Sequence, residues 1–267
     1  MSLDPLHERV ATLALSLPEV RQIALAGGGA LLAHGLISRP TQDIDLFTPD
    51  EAELAQVIDA LAEVLHDHGY TVEIVRRVHT FAHLDIAAPD GRTMAVELAV
   101  DARIRDTVRL ALGPVLHPDE VAADKTLALF GRAAARDLVD VDALAAHYGH
   151  DLLLQLAAEK DLGFDRSVFA DALNAAAAQP DVMFHRLGLD PTQLTAVRQR
   201  AARWRDHLYA ESEGSPPGPA SPAPEAPGYP TDRDLRRRGN EARRPPTLPD
   251  QPPNTPYPDR RPRPPSM

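Results

Sequence analysis

The chain has no cysteine, which excludes a disulfide scaffold, a thiolate nucleophile, a cysteine zinc site and an iron–sulfur cluster. Lysine is almost missing: Lys125 and Lys160 are the only two, and every other basic side chain is arginine. A long apolar run is missing as well. The most apolar stretch, 23–37, is glycine-rich, carries His34 and falls short of the roughly 20 residues that a membrane helix needs. The start of the chain holds Asp4, Glu8 and Glu19 and no basic segment ahead of an apolar core. No signal peptide or membrane partner is therefore expected, and the expected location is cytoplasmic. Positive charge is not in excess either. A net charge of −11 argues against a protein that coats duplex nucleic acid, while leaving room for local basic patches.

Composition changes abruptly near Glu211. Most of the 26 prolines follow it, and Leu235 and Leu248 are the only large aliphatics there. Such a segment cannot bury enough apolar surface to offset its ordering entropy. Residues 212–267 are expected to be a disordered Pro/Arg-rich tail with polyproline II character. Its Arg236–Arg238 and Arg243–Arg244 clusters read as solvated charge or as an electrostatic tether.

The remainder divides into a mixed α/β part, 1–117, and a helical part, 118–211. An amphipathic helix is expected over 3–17, a short strand over 22–26, a glycine turn at 27–29, a helix over 30–34 and a strand over 44–47. Thr48-Pro49-Asp50-Glu51 reads as a helix start, with Thr48 as cap and Glu51 closing a capping box. Leu54, Val57, Ile58, Leu61 and Leu65 then form one helical stripe that Gly69 ends. Strands are expected over 71–78, 81–87 and 93–100, the last two joined by a turn at Pro89-Asp90-Gly91. Helices follow over 119–130, 136–148, 151–160, 166–178 and 190–210. Because strands and helices do not strictly alternate, a mixed sheet with flanking helices is expected rather than a parallel one.

The sharpest feature is a strand, a glycine turn, a helix and a second strand opening Asp43-Ile44-Asp45. Residues two apart in a strand share a face, so Asp43 and Asp45 present two carboxylates together. Like charges this close raise each other's pKa unless cations neutralise them, and a hard divalent ion, Mg²⁺ or Mn²⁺, is the natural compensation. Backbone amides of the glycine turn favour an anion such as phosphate. Other D-x-D pairs, Asp140/Asp142 and Asp232/Asp234, read as a solvated helix face and as tail chemistry.

The ordered series Gly28-Gly29, Gly35, Arg39-x-Thr41-x-Asp43-x-Asp45-Leu46-Phe47 resembles the nucleotidyltransferases of the DNA polymerase β superfamily. More narrowly, it resembles the AbiEii/AbiGii toxin family. A second block, Lys125-x-x-Ala128-Leu129-x-x-Arg132-x-x-x-Arg136-Asp137-Leu138-x-Asp140, resembles that family's lysine-containing segment, and one of the two lysines falls on its motif position. The family's third carboxylate matches Glu97 in Val96-Glu97-Leu98-Ala99, with Asp101 and Asp85 as alternatives. Ala30 stands where many relatives carry a hydroxyl.

The resemblance implies a nucleotidyltransferase-like fold and transfer of a nucleoside monophosphate from an NTP to an acceptor hydroxyl. It implies two Mg²⁺ or Mn²⁺ ions held by Asp43, Asp45 and Glu97. Gly28, Gly29, Arg39, Thr41, Lys125, Arg136 and Asp137 would bind the nucleotide. It further implies a toxin or phage-defence role, an RNA acceptor such as the tRNA 3′ end, and a cognate antitoxin. A small-molecule nucleotidyltransferase of the antibiotic-modifying kind and an inactive nucleotide-binding module remain open beside it. Arg76, Arg77, Arg103, Arg105, Arg109, Arg132 and Arg136 favour RNA if they converge. Gly131 is expected to break the helix between Lys125 and Arg136. His79 and His83, four apart in strands, need not share a metal. Lys160 lies outside both blocks, and its substitution is expected to leave nucleotide binding and transfer unchanged.

Overall fold

The computed structural model describes residues 3–213, with only the backbone of residues 212 and 213. The tail expected from residue 212 onward lies outside the described residues, save for those two at its start. Helix α1 (Pro5–Leu15) begins where Asp4 accepts a hydrogen bond from the Leu6 amide at 2.8 Å with Pro5 at the first helical position. Strand β1 (Ala24–Leu25) is shorter than expected, and helix α2 (Gly27–Ala33) starts within the glycine triplet rather than after it. Strand β2 (Asp43–Thr48) follows, then helix α3 (Glu51–Asp67). Strands β3 (Thr71–Val78), β4 (Phe81–Ala87) and β5 (Thr93–Val100) fall where alternation puts them. Two three-residue strands, β6 (Val108–Leu110) and β7 (Gly113–Val115), are additions that periodicity did not reveal. The helical part comprises α4 (Pro118–Arg132), α5 (Ala135–Tyr148), α6 (His150–Lys160), α7 (Arg166–Ala177), the short and unforeseen α8 (Asp181–His185), and α9 (Pro191–Glu213).

The strands form one mixed sheet in the order β3-β4-β5-β2-β1-β7-β6. β2 runs parallel to β5, β1 runs parallel to β7, and the other neighbours are antiparallel. One face is dry: Ile44 and Leu46 of β2, Val96 and Leu98 of β5, and Leu84 and Ile86 of β4 are buried with the α3 stripe of Leu54, Val57, Ile58, Leu61 and Leu65. Period-two alternation therefore turns Asp43, Asp45 and Glu97 to the opposite face.

The start of α3 differs from the expected capping box. Asp50 is the cap, accepting from the Ala52 and Glu53 amides at 2.8 and 3.3 Å. Thr48 does not cap the helix; its oxygen accepts from the Asp50 amide at 3.2 Å. It ends β2, and its buried hydroxyl donates to Glu53 Oε2 at 2.5 Å. Glu53 in turn accepts from the backbone amides of Arg21, Gln22 and Ile23. Although burial alone pushes its pKa up, the Thr48 hydroxyl and these amides hold it below the usual carboxylate range. One carboxylate thus pins the entry to β1 against the end of β2.

Lys160, outside both motif blocks, has a structural place. Its side chain is buried, with the ammonium 2.7 Å from Asp101, 2.7 Å from Glu120 and in direct contact with Asp124. Glu120 also accepts from the Ile104 and Arg105 amides, each at 2.8 Å. Burial pushes Asp124 up to about 7 despite the lysine. The lysine pKa is raised as well: burial opposes its charge, but Asp124 and Asp101 outweigh it. The oxygens of Asp101, Glu120 and Asp124 lie within 4.8 Å of one another, a spacing that could hold a metal ion, but the ammonium already bridges them. Lys160→Met should cost about 3–5 kcal/mol, because it leaves buried carboxylates without their counter-charge. Thermal unfolding at neutral pH should drop by roughly 10 °C; an unchanged melting temperature would show that the cluster carries no stability.

Candidate active site

Three elements bring carboxylates together on the open face. In the parallel β2–β5 pair, Asp45 is the register partner of Glu97 and Asp43 that of Ala95. Glu97 therefore stands beside Asp45 on the adjacent strand. Of the alternatives, Asp101 is committed to Lys160 at the far end of β5, and Asp85 connects to Glu97 only through His83. The His83 ring nitrogens lie 3.2 Å from Glu97 Oε1 and 3.2 Å from Asp85 Oδ1. Asp43 is oriented by Thr41, whose hydroxyl donates to Asp43 Oδ1 at 2.9 Å.

The glycine turn meets this group at close quarters. Gly27 has φ +55°, and a Cβ there would fall 1.7 Å from Asp45 Oδ2. Only glycine fits, for conformation and for space. A Cβ on Gly28 would lie 2.8 Å from the Thr41 hydroxyl and 3.8 Å from Arg39 Nη2. The turn therefore packs its backbone directly on the acidic strand, and Gly27, part of the triplet but not of the expected site, is the residue against Asp45.

The second block arrives through a buried charge cluster. Asp140 is fully buried, which corrects its reading as part of a solvated face. Arg39 Nε and Nη2 donate to its two oxygens, each at 2.6 Å, and Lys125 Nζ lies 3.1 Å from Oδ2. Burial raises the Asp140 pKa, but Lys125 and Arg39 outweigh it and hold the carboxyl below its ordinary value. Asp142, its D-x-D companion, is also engaged: its carboxylate accepts a fork from Arg200 at 2.6 and 2.7 Å.

The break between α4 and α5 comes at Ala133, in the left-handed region at φ 46°, not at Gly131, which stays helical. Arg132 closes this corner with a fork to buried Asp137 at 2.6 and 2.8 Å. One residue earlier on α5, Arg136 projects to within 3.6 Å of Asp43. The sequence-derived site residues thus fall into one neighbourhood. Asp137 is the exception in kind, since its carboxylate is taken up by Arg132.

Asp45 carries the electrostatic signature of the site. Burial first, then the charges of Asp43 and Glu97, push its pKa from 3.8 to about 6, against the opposing pull of Lys125 and Arg136. Two adjacent carboxylates that remain under-compensated are a donor set for a hard divalent cation. The residues that pattern reading did not place at this group are Gly27, Asp140 and His83. Asp140 was in the motif, but spacing alone does not reveal burial.

Residues 17–226 match the family described as nucleotidyl transferase AbiEii toxin, type IV toxin–antitoxin system. Among solved structures, the nucleotidyltransferase toxin MenT4 from Mycobacterium tuberculosis H37Rv is similar in fold. It has 20% identity and a TM-score of 0.56, over 76% of this chain and 83% of that one. JHP933 from Helicobacter pylori aligns over 79% of this chain and 95% of its own at 19% identity, with a TM-score of 0.47. No curated protein matches.

The Asp45 shift has a sign that can be measured. A carboxyl whose folded pKa is raised takes up its proton first in the folded state, so stability is gained as pH falls from about 6 toward 3.8. Above that window the fold bears the cost of the confined charge. Asp45→Asn should therefore stabilise the metal-free protein at pH 7.5, on the order of 1–3 kcal/mol, and the advantage should vanish near pH 4. Thermal melts of both proteins across that range test it; a destabilised variant at pH 7.5 would refute the assignment.

Proposed function

Because the chain belongs to the AbiEii nucleotidyltransferase toxin family of type IV toxin–antitoxin systems, we propose that its reaction centre is Asp43, Asp45 and Glu97 with Lys125. The enzyme moves a nucleoside monophosphate from an NTP to the hydroxyl of an RNA acceptor, with the tRNA 3′ end as the preferred target. The observation that carries this reading is the register pair Asp45–Glu97, seated on the Gly27 turn with Asp43 and short of positive charge. The expected antitoxin is a separate protein partner.

Asp43, Asp45 and Glu97 would hold two divalent ions, Mg²⁺ or Mn²⁺; the register pairing of Asp45 with Glu97 and the shortage of positive charge at Asp45 support this. When bound, they supply Lewis-acid stabilisation of the charge that develops on the transferring phosphoryl group. The chain's own residues do the rest. The amides of Gly28 and Gly29 face the triphosphate from the helix start. Lys125 and Arg136 add positive charge from α4 and α5, so residues 118–211 complete a site whose carboxylates come from 1–117. Arg39 steadies the cluster through Asp140, and Thr41 fixes the rotamer of Asp43. Asp137 acts on the nucleotide only through Arg132.

In the transfer step the acceptor hydroxyl oxygen bonds to the α-phosphorus as the bond from that phosphorus to the bridging oxygen breaks. Pyrophosphate leaves with the electron pair, and Glu97 takes the hydroxyl proton. Glu97→Gln keeps the shape and removes the base, so the transfer rate should fall by roughly 10²–10⁴. Asp43→Ala or Asp45→Ala should abolish transfer with the fold retained. Lys125→Ala should weaken nucleotide binding or transfer by about 1.5–3 kcal/mol, and Lys125→Arg should restore only part, since a planar fork does not replace a point charge. The assay is incubation with labelled NTPs and Mg²⁺ in the presence of total tRNA or of cationic small molecules. Label on RNA supports the reading; label on the small molecule alone moves the acceptor class to antibiotic-type substrates. Wild-type activity in the Asp43/Asp45 double variant removes the mechanism.

A further inference from the structure

The open face of the sheet is organised in three rows that cross the strands. The middle row is continuous through successive register partners: Asp45 pairs with Glu97, Glu97 with His83, and His83 with Arg76. On one side lies an acidic row, Asp43, Ala95, Asp85 and Glu73, and on the other an apolar row, Phe47, Ala99, Phe81 and Val78. Strands lie about 4.8 Å apart, so Arg76 sits roughly 10 Å from Glu97 across the sheet.

Arg76 reaches this face only because of a local irregularity. The β3–β4 register shifts between Ile74 and Arg76, leaving Val75 as an extra residue. Without the bulge, strict alternation would put Arg76 on the helix face and Arg77 on the open one. With it, Arg77 turns to α3 and pairs with Asp59, while the Arg76 guanidinium lies 5.4 Å over the Phe81 ring. Among the described residues, no carboxylate is within ion-pair distance of Arg76. It is a guanidinium spread on an aromatic ring, in line with the acidic centre and short of a counter-charge. Val78 beside it is 44% exposed.

We propose that Arg76 on Phe81 is the acceptor subsite, gripping a backbone phosphate and stacking with a base of a single-stranded RNA end whose terminal hydroxyl lies at Glu97. This rests on the nucleotidyl-transfer reading above. A guanidinium over a phenyl ring offers both a planar charged fork for phosphate and a stacking surface for a base. The acidic row repels phosphates, so the strand lies toward Phe81 and Val78 and not toward Asp85 and Glu73. A cationic small acceptor would gain nothing from Arg76.

The experiment is fluorescence anisotropy of a short 5′-labelled single-stranded RNA with the full chain over a salt series. An NTP titration in Mn²⁺ on the same proteins runs alongside. Arg76→Ala should lower RNA affinity by at least about tenfold and flatten the slope of log affinity against log salt by about 0.7, the share of one phosphate contact. Phe81→Leu should weaken binding at unchanged slope, and NTP affinity should stay at the wild-type value in both. Should Arg76→Ala fail to fold, Arg76→Lys decides: it keeps the charge and the slope and loses affinity through stacking. Wild-type RNA affinity and slope in the Arg76 variants would overturn the subsite. So would a parallel loss of NTP affinity, which would put Arg76 in the nucleotide site or the fold. If the wild-type chain binds NTP but no RNA, the proposal falls while the transferase reading stands; if it binds neither, that reading falls as well.

Discussion

The buried carboxylate of Asp140 is the interaction on which the candidate site depends. A carboxylate with no exposure is tolerable in a protein interior only with counter-charges at hydrogen-bonding distance. Asp140 has two, and they come from opposite ends of the motif. Arg39 belongs to the loop that precedes the acidic strand, and Lys125 to the first helix of the helical part. Remove the carboxylate and the two cations face each other. With it present, the glycine turn, the acidic strand and α4–α5 behave as one unit. Arg136, one helical turn before Asp140, is thereby held beside Asp43.

The same logic explains why a chain so poor in lysine keeps two. Lys125 meets a carboxylate already occupied by an arginine fork, and Lys160 meets three carboxylates at once. Lys160 requires a compact charge that can donate in several directions, and Lys125 one that fits beside the arginine fork. A guanidinium is planar and best matched to one carboxylate, so it would satisfy one partner and clash with the others. Elsewhere arginine suffices, as in the forks from Arg132 to Asp137 and from Arg200 to Asp142. A compositional rarity thus marked two structurally demanding sites. Only one of them coincides with a motif.

Much of the fold was legible because burial imposes a period. The alternation of β3, β4 and β5 and the stripe of α3 follow from one dry face, and their boundaries were read almost to the residue. What escaped reading lacked such a period. β6 and β7 have three residues each and α8 has five, too few for any repeat to register. Thr48 and Asp50 are both good caps by type; β2 extends through Thr48 and its hydroxyl accepts from the Asp50 amide, which leaves Asp50 as the cap. At the site, Asp43 and Asp45 could be placed on one face from strand parity, and Glu97 joined them through the family resemblance. The partnership of Asp140 with Arg39, 101 positions away, could not be read, since sequence spacing describes only neighbours along one element.

A well-designed interior would not place Asp43, Asp45 and Glu97 side by side, nor press a glycine backbone onto one of them. Local rules broken in this way usually mark function, since stability elsewhere must offset them. Here the offset is identifiable. Glu53 pins the dry side of the same strand through Thr48 and three backbone amides, and Asp140 secures the flank with two cations. The acidic strand is therefore held rigid from both sides while its own charges remain under-compensated. Positive charge nearby comes from Lys125, already committed to Asp140, and from Arg136 at 3.6 Å, too far for a short ion pair. A strand held fixed and left short of positive charge can accept a cation from outside without reorganising, which is the electrostatic condition for a preorganised cation site.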